Sequence, residues 1–196
     1  MKNRVLKIAL AALAAVLTAA AITVPGAAPA LAANVIGEID LGWQGSGNTL
    51  YAHAHGSYIE TTSLRFELQH WATTNGQRWT NNFGNIVPVA EIELVTAQGT
   101  ECINLGTDDK HFYLDSCVHG DNNELFWFRQ YGSNNHLYNL VNVEASMINK
   151  ANHINSLGYM TGQCFGPPGC FYSPVENLTF GSGSLGLWWV ATVPVT

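Results

Sequence analysis

The sequence predicts an all-β protein built from three divergent copies of one structural unit. Beyond the N-terminal segment, apolar residues alternate or cluster in runs of about four to eight, and none has the spacing of an amphipathic helix. A tryptophan-bearing strand also recurs three times along the chain. The candidate strands are residues 64–71, 86–95, 112–114, 125–128, 137–143 and 187–193.

Polar segments separate these candidate strands and have the composition of tight turns. Gly and Asn accept positive φ angles, whereas Asp and Ser side chains hydrogen-bond to the backbone of their own loop. The predicted turns are residues 73–76, 106–109, 120–123 and 132–135. No linker or block of charge indicates a second domain.

The internal repetition narrows the predicted fold to one architecture. Tryptophan-bearing segments at 77–79, 125–128 and 187–190 each end a repeat, and similar openings lie at 48–51, 101–104 and 146–149. The openings are roughly 45 to 50 residues apart, which fits three four-stranded units. Three such units that each contribute a tryptophan to a shared core form a β-trefoil.

The repetition also predicts which tryptophans are buried. Trp79, Trp127 and one of the Trp188–Trp189 pair recur with the repeat, so we expect them to pack around the threefold axis. Trp43, Trp71 and the remaining member of that pair are not all expected to face inward. An exposed ring among them would be a natural platform for a sugar.

The N-terminal segment resembles a secretory signal peptide. Lys2, Arg4 and Lys7 precede an apolar run at 8–24, and small residues around Leu31 complete an A-x-A ending. We therefore expect residues 1–32 to be removed and 33–196 to form one exported domain, with a retained anchor as the alternative. Because the leader carries three of the eight basic residues, the exported part would keep five against fourteen acidic ones, a net charge near −9.

Charge and composition exclude some partners and favour others. A chain this acidic lacks the basic surface that nucleic acids or anionic membranes require, so we expect neither partner. Trp, Tyr and Phe are frequent beside many Asn and Gly residues, whereas charged side chains are scarce. Such a surface suits neutral, hydroxyl-rich partners, although turn-rich β-proteins use Asn and Gly for backbone reasons as well.

The four cysteines predict two disulfides in an exported protein. Three pairings are possible, and short sequence separation favours Cys102–Cys117 and Cys164–Cys170. A zinc site is disfavoured because the sequence has no C-x-x-C pair with matching histidines.

The repeats resemble those of the ricin-type (R-type) lectin β-trefoils. In that family a repeat runs from a Lys-Cys-Leu-Asp-like opening, through a Val-x-Leu-x-x-Cys strand, to a Gln-x-Trp close. Residues 77–79 match the close, the other two repeats keep the tryptophan, and Cys102 and Cys117 stand where the family has a bridge. The resemblance covers about 36–196 and is weakest in the third repeat, where 164–170 looks like an insertion.

The resemblance implies a shallow sugar pocket within a repeat. The family's hydroxyl-binding Asp falls on Tyr51, Asn104 and Asn149, its stacking ring falls near Gln69 and Asp115, and its amide falls near Asn75 and Asn123. Tyr113 or Phe112 could replace the missing ring in the second repeat. The best-preserved candidate carbohydrate site therefore consists of Asn104, Asp115, Asn123 and Tyr113.

The sequence offers little support for catalysis, a cofactor or a bound metal. Only His53 and His55 share a strand face, and no nucleophile elbow or phosphate loop is present. We therefore predict a secreted, non-catalytic protein that binds a neutral glycan or polysaccharide. The alternative is a protein-binding or inhibitor module on the same frame, with the 164–170 loop as its contact.

Overall fold

A computed structural model describes residues 37–43, 50–63, 69–133, 136–151, 157–162, 173–178 and 186–192. The predicted leader at 1–32 and the Cys164–Cys170 pair lie outside these residues, as does most of the candidate strand at 64–71. Within them the chain forms twelve strands and one helix. The elements are β1 (Gly37–Trp43), β2 (Leu50–His55), β3 (Tyr58–Thr62), β4 (Trp71–Thr80), β5 (Ile86–Thr96), β6 (Gly99–Leu105), β7 (Phe112–Ser116), β8 (Leu125–Gln130), β9 (Leu137–Asn142), α1 (Val143–Ala151), β10 (Tyr159–Gly162), β11 (Ser173–Leu178) and β12 (Leu187–Thr192).

Six strands close into an antiparallel barrel. β1 pairs with β4, β4 with β5, β5 with β8, β8 with β9, β9 with β12, and β12 returns to β1. Closure leaves none of the six as a free edge. The pairs follow each other at intervals of four strands, which is the threefold arrangement predicted from the repeats.

Three hairpins cover one end of this barrel. β2–β3, β6–β7 and β10–β11 each extend from a barrel strand, and β3 meets both β7 and β11 near the pseudo-threefold axis. The β-trefoil fold is therefore confirmed. Tyr58 on β3 pairs with Tyr113 on β7, and this contact between two hairpins adjoins the site described below.

The core occupies the barrel interior and the underside of the hairpins. Its largest fully buried side chains are Trp71, Trp188, Phe112 and Phe126, surrounded by Ile and Leu from all three repeats. The Trp188 indole N–H also donates a 2.6 Å hydrogen bond to the Met160 carbonyl. Long-range packing of this kind, rather than local preference, stabilises a sheet of short strands.

The tryptophan prediction is partly wrong. Trp188 is buried as expected, whereas Trp79 and Trp127 are only partly covered. Trp43 and Trp71 are buried and Trp189 is partly exposed, so these three do not all face inward, as expected. For Trp79 the cause is a β-bulge between Asn75 and Gln77 in β4. One extra residue reverses the alternation of faces, so Trp71 points into the barrel and Trp79 points away from it.

The same bulge corrects one predicted turn. Residues 73–76 do not end a strand, because they lie inside β4. The turns at 106–109 and 120–123 are found between strands as predicted, and Gly120 and Gly132 adopt positive φ angles. The turn-like composition of residues 73–76 therefore marked an irregular part of the backbone, but it did not distinguish a β-bulge within β4 from a turn between two strands.

The absence of an internal helix was also predicted wrongly. The expected strand at 137–143 ends at Asn142, and α1 follows it directly. Asn142 is the N-cap, since its Oδ1 accepts a hydrogen bond from the Ala145 N–H at 3.0 Å. Glu144 in the first turn and Lys150 in the last favour the helix dipole. The 146–149 segment, taken as the third repeat opening, lies on this helix.

Candidate functional site

The candidate site is built on the outer face of the β6–β7 hairpin. Asn104 pairs with Tyr113 across the hairpin, and Asp115 lies two residues further along β7 on the same face. The intervening residues, including Ile103 and Leu114, point into the core. Strand alternation therefore fixes the amide, the phenol and the carboxylate on one side of a rigid hairpin.

A tight loop at 106–111 forms one wall of the site. The Gly106 N–H donates to the His111 carbonyl at 2.9 Å, and the Asp109 N–H donates to the Gly106 carbonyl at 2.9 Å. The Asp108 carboxylate accepts from the backbone N–H groups of Lys110 and His111, each at 3.0 Å. Asp109 adopts the left-handed conformation at φ 55° that this reversal requires.

Gly106 lets the Tyr113 ring approach the backbone. A Cβ atom at position 106 would lie 2.3 Å from Cε2 of Tyr113, well inside van der Waals contact. The ring also packs against Tyr58, with centroids 5.0 Å apart, and edge-on to His111 at 6.3 Å. These contacts hold the phenol at the pocket mouth.

The ionisation states of the wall follow from its hydrogen bonds. Burial opposes the charge on Asp108, but hydrogen bonds from the His111 side chain and from two backbone N–H groups outweigh it and hold the pKa of Asp108 far below its usual value. Partial burial and the neighbouring Asp108 charge raise the pKa of Tyr113, so its hydroxyl remains a neutral donor.

The floor of the site comes from the loop before β8. Asn123 accepts a hydrogen bond from the Leu105 N–H at 3.1 Å through its carbonyl, and from the Asn142 amide at 2.8 Å. The Asn104 amide donates to the fully buried Glu124 at 3.4 Å. Burial and the nearby charge of Glu91 raise the pKa of Glu124.

These elements enclose a pocket of about 610 Å³. All four residues of the predicted carbohydrate site, Asn104, Tyr113, Asp115 and Asn123, line this one pocket. The pocket has other lining residues that were not predicted from the sequence: Leu105, Gly106, Thr107, Asp108, Asp109 and Glu144. The lining contains four carboxylates and, among the residues described, no Lys, Arg or His.

The sequence carried a signal for several of the lining residues that were not predicted. The 106–109 turn composition, directly after the Asn104 strand, could have placed Asp108 and Asp109 beside the site. Glu144 reaches the pocket from the first turn of α1. Asn142 followed by an acidic first turn was the available signal for this helix.

Equivalent positions in the other repeats are not brought into this pocket. Tyr51 and Gln69 belong to the first repeat, where the Gln69 side chain accepts a hydrogen bond from the Ala54 N–H at 2.7 Å. Asn149 is buried on α1. The placement of Asn149 as a sugar ligand is therefore wrong, because the helix turns it inward. Within the second repeat, Phe112 is in the core, so of the two candidate rings Tyr113 is the one that lines the pocket.

The predicted Cys102–Cys117 disulfide is present. Cys102 pairs with Asp115 in the β6–β7 ladder, so the bridge fastens the end of β7 next to the pocket. The histidines that share a strand face lie elsewhere, and His55 contacts Glu60 at 3.3 Å. Among the described residues, no helix is long and apolar enough to cross a membrane.

Comparison with known proteins supports the architecture. No protein-family model matches the chain, and no curated protein matches it. A designed threefold symmetric protein, ThreeFoil, matches at 10% identity with a TM-score of 0.51, covering 80% of this chain and 99% of its own. A Caenorhabditis elegans protein of unknown function matches at 12% identity with a TM-score of 0.45, covering 80% of this chain and 94% of its own. At 10% identity the similarity to ThreeFoil shows a trefoil-like fold alone.

Proposed function

We propose that this protein is a secreted, non-catalytic carbohydrate-binding protein whose site is the pocket on the second repeat. The observation that carries the proposal is the convergence of Asn104, Tyr113, Asp115 and Asn123 on one pocket. The sequence resemblance predicts these four residues, which lie on two strands and on the loop before β8.

The chemistry of the lining suits a neutral polyhydroxylated ligand. Carboxylates such as Asp115 accept hydrogen bonds from hydroxyls, and the Asn104 amide can both donate and accept. Tyr113 adds an aromatic surface and a hydroxyl donor at the mouth. The described lining has four carboxylates and no cationic side chain, so its negative charge would repel sulfated or carboxylated glycans.

The state of Asp108 favours binding without hydrolysis. A glycosidase needs one carboxyl that holds a proton near neutral pH as the general acid. Asp108 is instead held ionised by His111 and two backbone N–H groups. Asp108 is therefore unsuited to the role of general acid, and we propose that the pocket binds a glycan and leaves it unchanged.

Export is a part of the same proposal. The leader-like segment at 1–32 and the disulfide between Cys102 and Cys117 both suit an oxidising compartment outside the cell. We expect weak binding by a single pocket, and useful retention would require clustered glycans or several copies of the protein.

Retention on a glycan array and on insoluble polysaccharides tests the proposal. Asn104→Ala and Asp115→Asn should lose retention on any glycan that the unmodified protein binds. Asn85→Ala, at an exposed turn position outside the pocket, and Glu101→Gln, on β6 but outside its lining, are the matched controls. Equal retention by all five proteins, or no retention on any glycan, would exclude this pocket as a sugar site. Release of soluble sugars would contradict the non-catalytic part.

A further inference from the structure

A second cluster of polar side chains lies outside the candidate sugar pocket. Glu91 and Glu93 alternate along β5 and share the face that points away from the barrel interior, and His119 faces them from the loop after β7. One ligand atom from each residue lies within 4.8 Å of the other two. Glu91 and Glu93 are only 3% and 9% exposed, whereas the His119 side chain is 72% exposed.

The two carboxylates differ in how their charge is compensated. Glu91 accepts hydrogen bonds from His119 Nδ1 at 2.7 Å, the Gly120 N–H at 2.9 Å and the Thr74 hydroxyl at 3.0 Å. Glu93 Oε1 is shielded from solvent and has no hydrogen-bond partner among the described residues. A buried carboxylate oxygen without a partner costs free energy unless a proton or a bound ligand compensates it.

A cation between the three residues would compensate that oxygen. Two carboxylate oxygens and one imidazole nitrogen form a mixed donor set that suits Zn²⁺, whereas Ca²⁺ and Mg²⁺ prefer oxygen-only sites with more ligands. Tetrahedral Zn²⁺ needs donor atoms roughly 3.3 Å apart. Because the His119 ring is exposed, it can move to bring its nitrogen to that distance from the two carboxylates. The ion would then replace the proton that His119 and Glu91 share.

The surroundings leave access for an ion and for a fourth ligand. A cavity of about 200 Å³ opens onto Glu91 and His119, with Thr74, Gln77 and Leu125 in its walls. Cys102 and Cys117 also lie near Glu93, but their disulfide removes the thiolates that a metal would require. Among the described residues, three protein ligands are therefore available, which leaves one open position in a tetrahedral site.

We propose that Glu91, Glu93 and His119 form a binding site for a single divalent transition-metal ion, best fitted by Zn²⁺. The site is separate from the candidate sugar pocket, since none of its three residues lines that pocket. It does not depend on glycan binding.

Isothermal titration calorimetry of the purified protein with Zn²⁺ alone tests the site. The unmodified protein should bind one ion per chain, and Glu93→Gln and His119→Gln should each weaken binding at least ~10-fold, in line with loss of a ligand. His55→Gln, an exposed histidine elsewhere, should bind like the unmodified protein. Loading with Co²⁺ should give tetrahedral absorption bands that His119→Gln abolishes.

Folding and ion identity are controlled in the same experiment. Glu93→Gln keeps the shape of the side chain and removes its charge, so its circular dichroism and thermal midpoint show whether the fold survives. Equal Zn²⁺ affinity in Glu93→Gln, His119→Gln and His55→Gln, or no binding by the unmodified protein, overturns the proposal. Tighter binding of Mn²⁺ or Ca²⁺ than of Zn²⁺ overturns the assignment of the ion.

Discussion

Asn142 connects the helix, the barrel and the candidate sugar pocket, so its truncation is a sharp test of the architecture. The side chain is fully buried. Its Oδ1 caps α1 through the Ala145 N–H, and its Nδ2 donates to the Asn123 carbonyl at 2.8 Å and to the Leu125 carbonyl at 3.4 Å. Asn142→Ala removes all three contacts at once.

The expected cost can be worked from these contacts. Loss of an N-cap costs about 1 kcal/mol. Loss of a buried amide-to-carbonyl hydrogen bond costs about 1 kcal/mol, and the longer contact to Leu125 adds less. Asn142→Ala should therefore lower the free energy of unfolding by about 2–3 kcal/mol, which is roughly 4–12 °C in Tm for a chain of this size.

Urea unfolding followed by tryptophan fluorescence measures this change. Asn142→Ser should lose about half as much, because serine can still cap the helix but cannot donate to both carbonyls. Asn85→Ala is the matched control at an exposed turn and should stay within about 0.5 kcal/mol of the unmodified protein. A change for Asn142→Ala no larger than that of the control would refute the role assigned to this side chain.

Three further predictions concern the pocket wall, the buried carboxyls and the disulfide. Gly106→Ala should displace the Tyr113 ring, because the new Cβ would lie 2.3 Å from Cε2, and it should therefore weaken glycan retention. The double variant Gly106→Ala/Tyr113→Ala should lose no more retention than Gly106→Ala alone. Unchanged retention in Gly106→Ala would place the ring outside the binding surface. In the folded state the hydrogen bond to Glu91 raises the pKa of His119, and burial raises the pKa values of Glu93 and Glu124. Because these pKa values are raised, the groups contribute to stability at mildly acidic pH, and this contribution is lost as pH rises through the raised values. Tm should consequently fall between about pH 5 and about pH 8, and His119→Gln should flatten this dependence; a Tm that rises over this range would contradict the signs. Replacing Cys102 and Cys117 with Ala opens a loop of sequence separation 15 and should cost about 3 kcal/mol in urea unfolding, whereas an equal midpoint would show that the bridge contributes nothing.

Local pattern was sufficient for several features of this chain. Alternation and turn composition located the strand that carries Tyr113, and cysteine spacing gave the Cys102–Cys117 bridge. Asn104 was predicted only as part of a repeat opening, and its strand β6 was not among the candidates. The position of α1 was missed because its apolar residues do not form a regular stripe. Its buried face includes Ser146 and Asn149, which a hydrophobicity pattern does not detect.

The repeat spacing by itself determined a threefold all-β fold, because each four-stranded unit must bury its apolar face against two others. The tertiary structure decided which tryptophans are buried. Within β4, a single bulge places Trp71 and Trp79 on opposite faces of the strand. The tertiary structure also decided which polar residues meet. Glu144 reaches the pocket only because a helix follows β9, and Glu93 meets His119 only because β5 and the loop after β7 pack together. Contacts between residues far apart in sequence depend on closure of the barrel, which no local pattern encodes.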